Sequence, residues 1–447
     1  MTPAYYMVVR LARVFSSDAQ LALRLPSIAG YLLTLLGTYW FARKRLPAIA
    51  GLTAVLLVAV SPFRGYAVEA RSYALLTGLL AIAAAAWQRI GERRLFTLLY
   101  GVFLTLAVSC HYYAVVAIGP FGIAELARVL KTRRIRWSVW AANLVAVAPF
   151  LAGLPLLLHL GAAYGKNFWS KPGWRAAVST YRMYFGLEWE FLLPLILFLG
   201  WLAVDAVTRA WRNSSGSDER PRAHELVLLA GLLFYPALLV VLTKIMGAGY
   251  TERYGWPAIL GFALGAVYLL RVYKLPFVHL AVTLLIAFPL LQIRAVAKAA
   301  SRREDARWTR LQHATHDEPG IPVVIGSGKT YLEAVQYAPA DLRDRLMQVV
   351  DVDTATRLTG TDSVDRTNGL LARFVPLHVK DLTRFEGAYG KFFLYSGGGL
   401  DWLTGYLPQK GYQLHLLSSE VSGEQIYQIY LVKELRARLL SVQETTP

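Results

Sequence analysis

The stretch from Gly65 to Trp87, GYAVEARSYALLTGLLAIAAAAW, sets Glu69 and Arg71 directly before an apolar run long enough to cross a membrane. An ionised side chain at mid-membrane costs about 2.5 to 3.5 kcal/mol even on insertion scales, so charges at such a helix mouth need water, an opposite charge or a proton to exchange. Glu69 is read either as a helix N-terminal carboxylate beside an interfacial arginine, or as one wall of a hydrated site.

The rest of the chain supports a membrane setting. Of its 447 residues 55% are hydrophobic and only 17% charged, against about 25% charged in ordinary soluble domains, and the mean hydropathy is +0.40. The net charge of +18 resides in the apolar part, with 28 Lys and Arg against 11 Asp and Glu up to Ile293, and 19 against 18 beyond it. These basic residues cluster in short loops between apolar runs, which orients helices and argues against nucleic acid as a partner. Cys110 is the single cysteine and reads as a small buried hydrophobe. The first residues, MTPAYYMVVRLARVF, lack the pattern of a signal peptide. They read as an amphipathic helix with Tyr5, Val8, Leu11, Ala12 and Phe15 near one face, lying at the interface or packed on a bundle.

Apolar runs predict about ten transmembrane helices: Leu25 to Ala42, Leu46 to Phe63, Ala70 to Gln88, Leu95 to Cys110, Tyr113 to Leu130, Trp137 to Leu160, Phe191 to Val207, Leu226 to Met246, Trp256 to Leu270 and Pro276 to Ile293. Alternate connections are basic: Arg43–Arg45, Arg89–Arg94, Lys131–Arg136, Thr208–Arg222 and Arg271–Lys274. Placing these five in the cytoplasm puts the Glu69 loop, the His111–Tyr113 turn, the loop Gly161–Glu190, the segment Gly247–Arg253 and everything after Ile293 outside. Residues 294–447 change character, with IPVVIGS, RLMQVVDV, KFFLYSG, YQLHLLSS and QIYQIYLV as strands between helical stretches. The expected fold class is thus an α-helical polytopic membrane bundle over residues 1–293, followed by a small external α/β domain with a mostly parallel sheet. GSGKT at Gly326–Thr330 is not a phosphate-binding loop, because the glycine needed five residues before Gly328 is replaced by Val323. It reads as a turn opening a helix.

In the apolar part, Asp18, Glu69, Glu188, Glu190 and Glu252 are the acids that fall on the external side. Tyr66, Arg71, Tyr73, His111, Tyr112, Lys166, Lys171, Arg175, Arg182, Arg253 and Tyr254 fall there too. Carboxylates can take a proton or hold a metal, guanidinium groups can hold a phosphate, and aromatic rings can stack on a sugar. Each has a plain reading beside this one. Asp18 after two serines is a helix cap, His111 a buried hydrogen-bonded histidine, Tyr112 and Tyr113 an aromatic belt, Arg253 and Tyr254 a belt pair, and Glu188 with Glu190 solvated.

Taken in order, TPAYYMVVRLARVF, LALRLPSIAG, EARSYALL, HYYAVV and ERYGWPA resemble segments of the polytopic glycosyltransferases of the C superfamily, in the bacterial dolichyl-phosphate-mannose mannosyltransferase-like and RgtA/B/C/D-like branch. The resemblance covers most of Thr2 to Ile293. It implies transfer of a hexosyl or pentosyl group from a polyprenyl-phosphate sugar to a hydroxyl of an external lipid, glycan or protein, at the cell (inner) membrane. It implies acceptor activation or metal binding by Glu69, donor-phosphate binding by Arg71 and Arg253, and a sugar or acceptor pocket of Tyr6, Tyr73, His111, Tyr112 and Tyr254. No cofactor is implied with certainty, and a divalent cation fits such a site. The family pattern also implies a helix and an acidic loop ahead of the proline–tyrosine segment, which this sequence does not contain. Two expectations follow: the sequence starts downstream of the true start, or the protein works from another acid or serves as a non-catalytic lipid-linked-sugar binding or assembly subunit. A transporter is disfavoured, because matching halves with paired broken helices are not seen.

Overall fold

The structure is a computed structural model that describes residues 2–165, 167–168, 170, 173–185, 189–212, 221–273, 307–397, 401–422 and 425–434. The expected span Pro276–Ile293, the boundary between residues 293 and 294, and Lys166, Lys171 and Glu188 lie outside the described residues, as does the side chain of Glu190. The chain divides into two compact units, one of Met1–Gly161 with Ser170–Gln292 and one of Ala162–Trp169 with Ile293–Pro447.

The first unit is a helix bundle: α1 (Pro3–Ala12), α2 (Ala19–Arg43), α3 (Ala48–Val60), α4 (Tyr73–Gln88), α5 (Arg94–Cys110), α6 (Ile118–Thr132), α7 (Trp137–Tyr164), α8 (Trp174–Phe185), α9 (Trp189–Arg212), α10 (Ala223–Leu233), α11 (Tyr235–Met246) and α12 (Ala258–Val272). Short 3₁₀ turns at Pro62–Ala67, Tyr112–Ala117 and Glu252–Gly255 precede α4, α6 and α12. Among the described residues three segments are long and apolar enough to cross a bilayer, α2, Tyr112–Thr132 and α7. A fourth arises if α10 and α11, bent by 55°, count as one span. The helices α3, α4, α5 and α12 are apolar but shorter, so fewer than the expected ten spans are long enough among the described residues. The run Leu226–Met246, expected as one helix, breaks at Phe234 because Pro236 has no N–H for the preceding turn. The helix α8, inside the expected loop Gly161–Glu190, was not foreseen.

The run that opened the sequence reading becomes the centre of the bundle. Every residue of α4 from Tyr73 to Trp87 is buried, which suits a helix apolar on all sides. It meets α2 through small residues. On α2, Ser27, Gly30, Thr34 and Gly37 form a buried stripe, and a Cβ at Gly78 would strike the Gly30 carbonyl. A Cβ at Gly30 would strike the Leu75 backbone, and one at Gly37 would fall 2.6 Å from the Ala81 carbonyl carbon. Apolar side chains gain nothing by leaving lipid for one another, so this close backbone approach is how membrane helices associate. At the basic end, Arg45 Nε lies 2.9 Å from Glu225 Oε1 with both side chains 1% exposed, tying the α2–α3 turn to α10. Glu125, also buried, takes Arg128 at 2.7 Å and the Arg136 guanidinium, joining α6 to the start of α7. Asp18 is the N-cap of α2, as its sequence context suggested, accepting from Gln20 N at 2.8 Å.

The second unit holds a six-stranded sheet: β1 (Val323–Ile325), β2 (Leu346–Val350), β3 (Val379–Asp381), β4 (Lys391–Ser396), β5 (Tyr412–Ser422) and β6 (Gln425–Glu434), in the order β3-β2-β1-β4-β6-β5. The first four run parallel, and β5 and β6 add an antiparallel hairpin beside β4. β3 was missed in the sequence because its three residues, VKD, are partly exposed and only one is apolar.

Replacing Gly78 by Leu should abolish the folded bundle, whereas Leu at Gly119, where nothing lies within 4 Å of an added Cβ, should be tolerated. Losing one partner of the buried pair, as in Glu225→Ala, should cost about 3 to 5 kcal/mol. Thermal unfolding of the purified variants in detergent checks both.

Candidate functional site

Three chain reversals meet at the end of the bundle where α4 begins and α5 ends. The first is the turn Val68–Ser72 between the 3₁₀ segment Pro62–Ala67 and α4. Ser27 Oγ on α2 donates to Arg71 O at 2.9 Å, so the glycine-stripe helix also holds this turn. Glu69 and Arg71 face each other, with Arg71 Nε 3.5 Å from Glu69 Oε2 and their side chains 35% and 45% exposed, Arg71 the more buried. The pair is therefore wet and weakly held, which leaves both groups available to a ligand.

The second reversal is His111, which ends α5 in extended backbone and starts the turn Tyr112–Ala117. Its Nδ1 accepts from Tyr113 N at 3.3 Å, leaving Nε2 to carry the proton of a neutral ring. The third is Thr251–Gly255, ahead of α12. Tyr254 lies at the junction, its ring centroid 6.0 Å from Tyr73, 5.2 Å from His111 and 5.0 Å from Tyr113. Trp256 packs on Tyr66 at 5.1 Å and stacks on Tyr184 of α8 at 4.4 Å. Tyr66 and Tyr73 meet at 5.6 Å and join the two groups of rings. Hydroxyl and carbonyl groups fix the layer from behind: Tyr113 donates to Gly249 O at 2.7 Å, and Tyr235 to Tyr113 O at 2.8 Å.

A second carboxylate belongs here. Glu252 Oε1 accepts from Ser179 Oγ of α8 at 3.0 Å. The Tyr66 phenol is pushed up from its usual range chiefly by burial; Glu69 and Glu252 add to the rise and Arg71 opposes it. One phenol thus feels both acids and the guanidinium. Arg253 Nε donates to Thr251 Oγ1 at 3.1 Å.

Of the residues singled out in the sequence, Tyr73, His111 and Tyr254 form one aromatic layer, with Glu69, Arg71 and Arg253 on the turns around it. Tyr112 instead faces α7, where a Cβ at Gly153 would fall 2.9 Å from its Cζ. Tyr6 is 60% exposed on α1, and its neighbour Tyr5 is the buried one. The sequence reading named Tyr66 and Glu252 among the external-side candidates without giving them a role, and gave Tyr113, Ser179 and Trp256 no part in the site. YTERYGWP was the available signal, since it sets an acid, a basic residue and three aromatic rings around a turn. Among the described residues no three His, Cys, Asp or Glu side chains come together as metal ligands.

No protein-family model matches the chain, and no curated protein matches it by sequence. Its fold is similar to that of ArnT. The structure of ArnT from Cupriavidus metallidurans bound to undecaprenyl phosphate matches with a TM-score of 0.51 and 13% identity, over 96% of this chain and 87% of that one. ArnT from the same organism in the apo state matches at a TM-score of 0.48 and 14% identity, over the same shares of the two chains. At such identity the likeness is one of fold.

The GSGKT segment lies in the second unit between β1 and the helix Gly328–Tyr337. Its Lys329 is exposed and 3.8 Å from Glu333, one helical turn on, so the turn-and-helix-start reading describes it. Nearby, Asp365 accepts from Trp402 Nε1 at 3.0 Å and from Asp351 N at 3.4 Å. Burial pushes its carboxyl up to about 6.

Tyr254→Ala should destabilise the bundle by about 3 to 5 kcal/mol, Tyr254→Phe should be nearly neutral, and Tyr6→Ala should change the melting temperature little. For Asp365, whose folded value is above the unfolded one, the folded state holds the proton more tightly, so its contribution to stability falls as pH rises from about 4 to about 6. Hydrogen exchange of the sheet amides in the full chain should show protection dropping across that window, and Asp365→Asn should flatten the drop.

Proposed function

We propose that this chain is a membrane glycosyltransferase of the C-superfamily kind, moving a sugar from a polyprenyl-phosphate-linked donor to a hydroxyl acceptor at the ring-lined mouth of the bundle. The observation that carries the reading is the likeness of fold, along 96% of the chain, to a protein solved with undecaprenyl phosphate. The motifs EARSYALL, HYYAVV and ERYGWPA, from which the same superfamily was inferred, supply the turns of that mouth.

The chemistry follows from the residues. The acceptor oxygen attacks the anomeric carbon, the bond from that carbon to the phosphate oxygen breaks, and the polyprenyl phosphate leaves with the electron pair. The proton of the acceptor hydroxyl passes to a carboxylate, and guanidinium groups offset the charge growing on the phosphate. Glu69 and Glu252 are the carboxylates at hand. Glu69 stands against the Arg71 guanidinium. The bond to Glu252 comes from the neutral Ser179 hydroxyl. We assign donor-phosphate binding to Arg71 and Arg253, with Glu69 setting the angle of Arg71 until the donor arrives. Tyr73, His111 and Tyr254 form the sugar platform.

In this reading residues 1–293 form the transferase bundle of about ten spans in the inner membrane. Residues 294–447 form an external domain that helps choose the acceptor, and the mannosyltransferase-like branch is the nearest family type.

Turnover of a radiolabelled polyprenyl-phosphate sugar by purified protein tests the assignment. Arg71→Ala and Glu69→Gln should each lower turnover at least 10²-fold, with melting temperatures within a few degrees of the parent. Unchanged turnover in both would remove these residues from the site. Donor bound without product in the parent protein would transfer the reading to a binding subunit.

A further inference from the structure

Four arginines at the basic end of the bundle differ from the rest. Arg45, Arg89, Arg128 and Arg136 there are committed to Glu225, to the Trp40 and Ala85 carbonyls, and to Glu125. Arg93 and Arg94, which open α5, and Arg133 and Arg134, just ahead of α7, are exposed and have no acidic partner among the described residues. The two helices they precede cross within their first two turns, and Arg94 and Ser138 line one groove. Gly101 of α5 meets Ala142 of α7, where an added Cβ would come 3.3 Å from the Ala142 Cβ, and Tyr100 OH donates to Asn143 Oδ1. Two positive helix ends thus coincide with four unneutralised guanidinium groups.

Beside this crossing lies a groove of about 830 Å³, with Arg94 and Ser138 at its basic end and Leu98, Val102, Leu106 and Val145 along its walls. Those four wall residues are 62%, 44%, 45% and 60% exposed. The groove is apolar along its length and cationic at one end, the pattern of a two-chain lipid with an anionic head. Its polarity separates it from the donor site. Cys110 ends α5 and the mouth residue His111 follows, so the 17-residue helix puts roughly 25 Å between Arg94 and the ring layer. A phosphate at Arg94 belongs to the leaflet opposite one held at the mouth.

We propose that the α5–α7 groove is a binding site for an anionic diacyl phospholipid of the phosphatidylglycerol kind. Its headgroup is held by Arg94 with support from Arg93, Arg133 and Arg134, and its acyl chains lie against Leu98, Val102, Leu106 and Val145. The lipid fills a surface that the bundle leaves open and neutralises charges that no protein acid meets. The site stands whether or not the mouth transfers a sugar.

Thermal unfolding of the full chain in detergent, with added phosphatidylglycerol, phosphatidylcholine or undecaprenyl phosphate, tests this. Phosphatidylglycerol should raise the melting temperature by about 3 °C or more near saturation, and phosphatidylcholine should not. Arg94→Gln, which removes the head contact, and Val145→Trp, which fills the groove from an exposed position, should each abolish the shift while leaving the lipid-free melting temperature unchanged. An equal shift with phosphatidylcholine, or a phosphatidylglycerol shift that survives Val145→Trp, would overturn the proposal. So would an undecaprenyl phosphate shift lost in Arg94→Gln, which would hand the groove to the donor, or a change from dimer to monomer in Val145→Trp, which would hand it to a second copy.

Discussion

The backbone approach of α2 and α4 at Gly30 and Gly78 is the contact on which the rest of the bundle depends. It brings a helix with no polar face into the centre, where each residue from Tyr73 to Trp87 is buried. It also sets the height of the turn before α4, because Ser27 on the same α2 stripe holds the Arg71 carbonyl. The charged pair Glu69 and Arg71 is thereby fixed at the mouth, just before a helix that could not carry it. A methyl group on either glycine would part the helices and lower the turn into a different setting.

The opposite end of the bundle solves the charge problem differently. Buried arginines there are spent on buried carboxylates and carbonyls, which ties segments far apart in sequence, as Arg45 does with Glu225. Replacing such pairs by apolar groups of equal shape can be neutral or better, so their presence argues for fixed pairing of helices more than for stability. At the mouth the charges are half exposed and weakly paired. That difference, with the rings around Tyr254, is what marks the mouth as a place for ligands.

Much of this was legible in the sequence because hydrophobic runs are long and their breaks are basic. The runs at Ala70, Leu95 and Trp137 each became a helix within four residues of the expected ends, and the run at Leu25 became α2, which starts six residues earlier at Ala19. What failed depended on rotation or on distant partners. A step of one residue turns a side chain by about 100°, so Tyr6 and Tyr112 were assigned to the pocket where Tyr5 and Tyr113 face inward. The pair of Ser179 with Glu252 spans 73 residues and leaves no periodic trace. The helix α8 mixes polar and apolar residues inside a segment too polar to span, and β3 is too short to alternate. Pro236 breaks the run Leu226–Met246 between α10 and α11. Likeness of fold without likeness of sequence has the same root: spans and their order survive changes of nearly every side chain, while a pocket rests on a few residues at turns.

The most direct test of the account is an experimental structure of the full chain with undecaprenyl phosphate. The account predicts phosphate density within hydrogen-bonding distance of Arg71 or Arg253, beside the rings of Tyr73, His111 and Tyr254. Density beside Arg94, or a mouth that stays empty at saturating lipid, would contradict it.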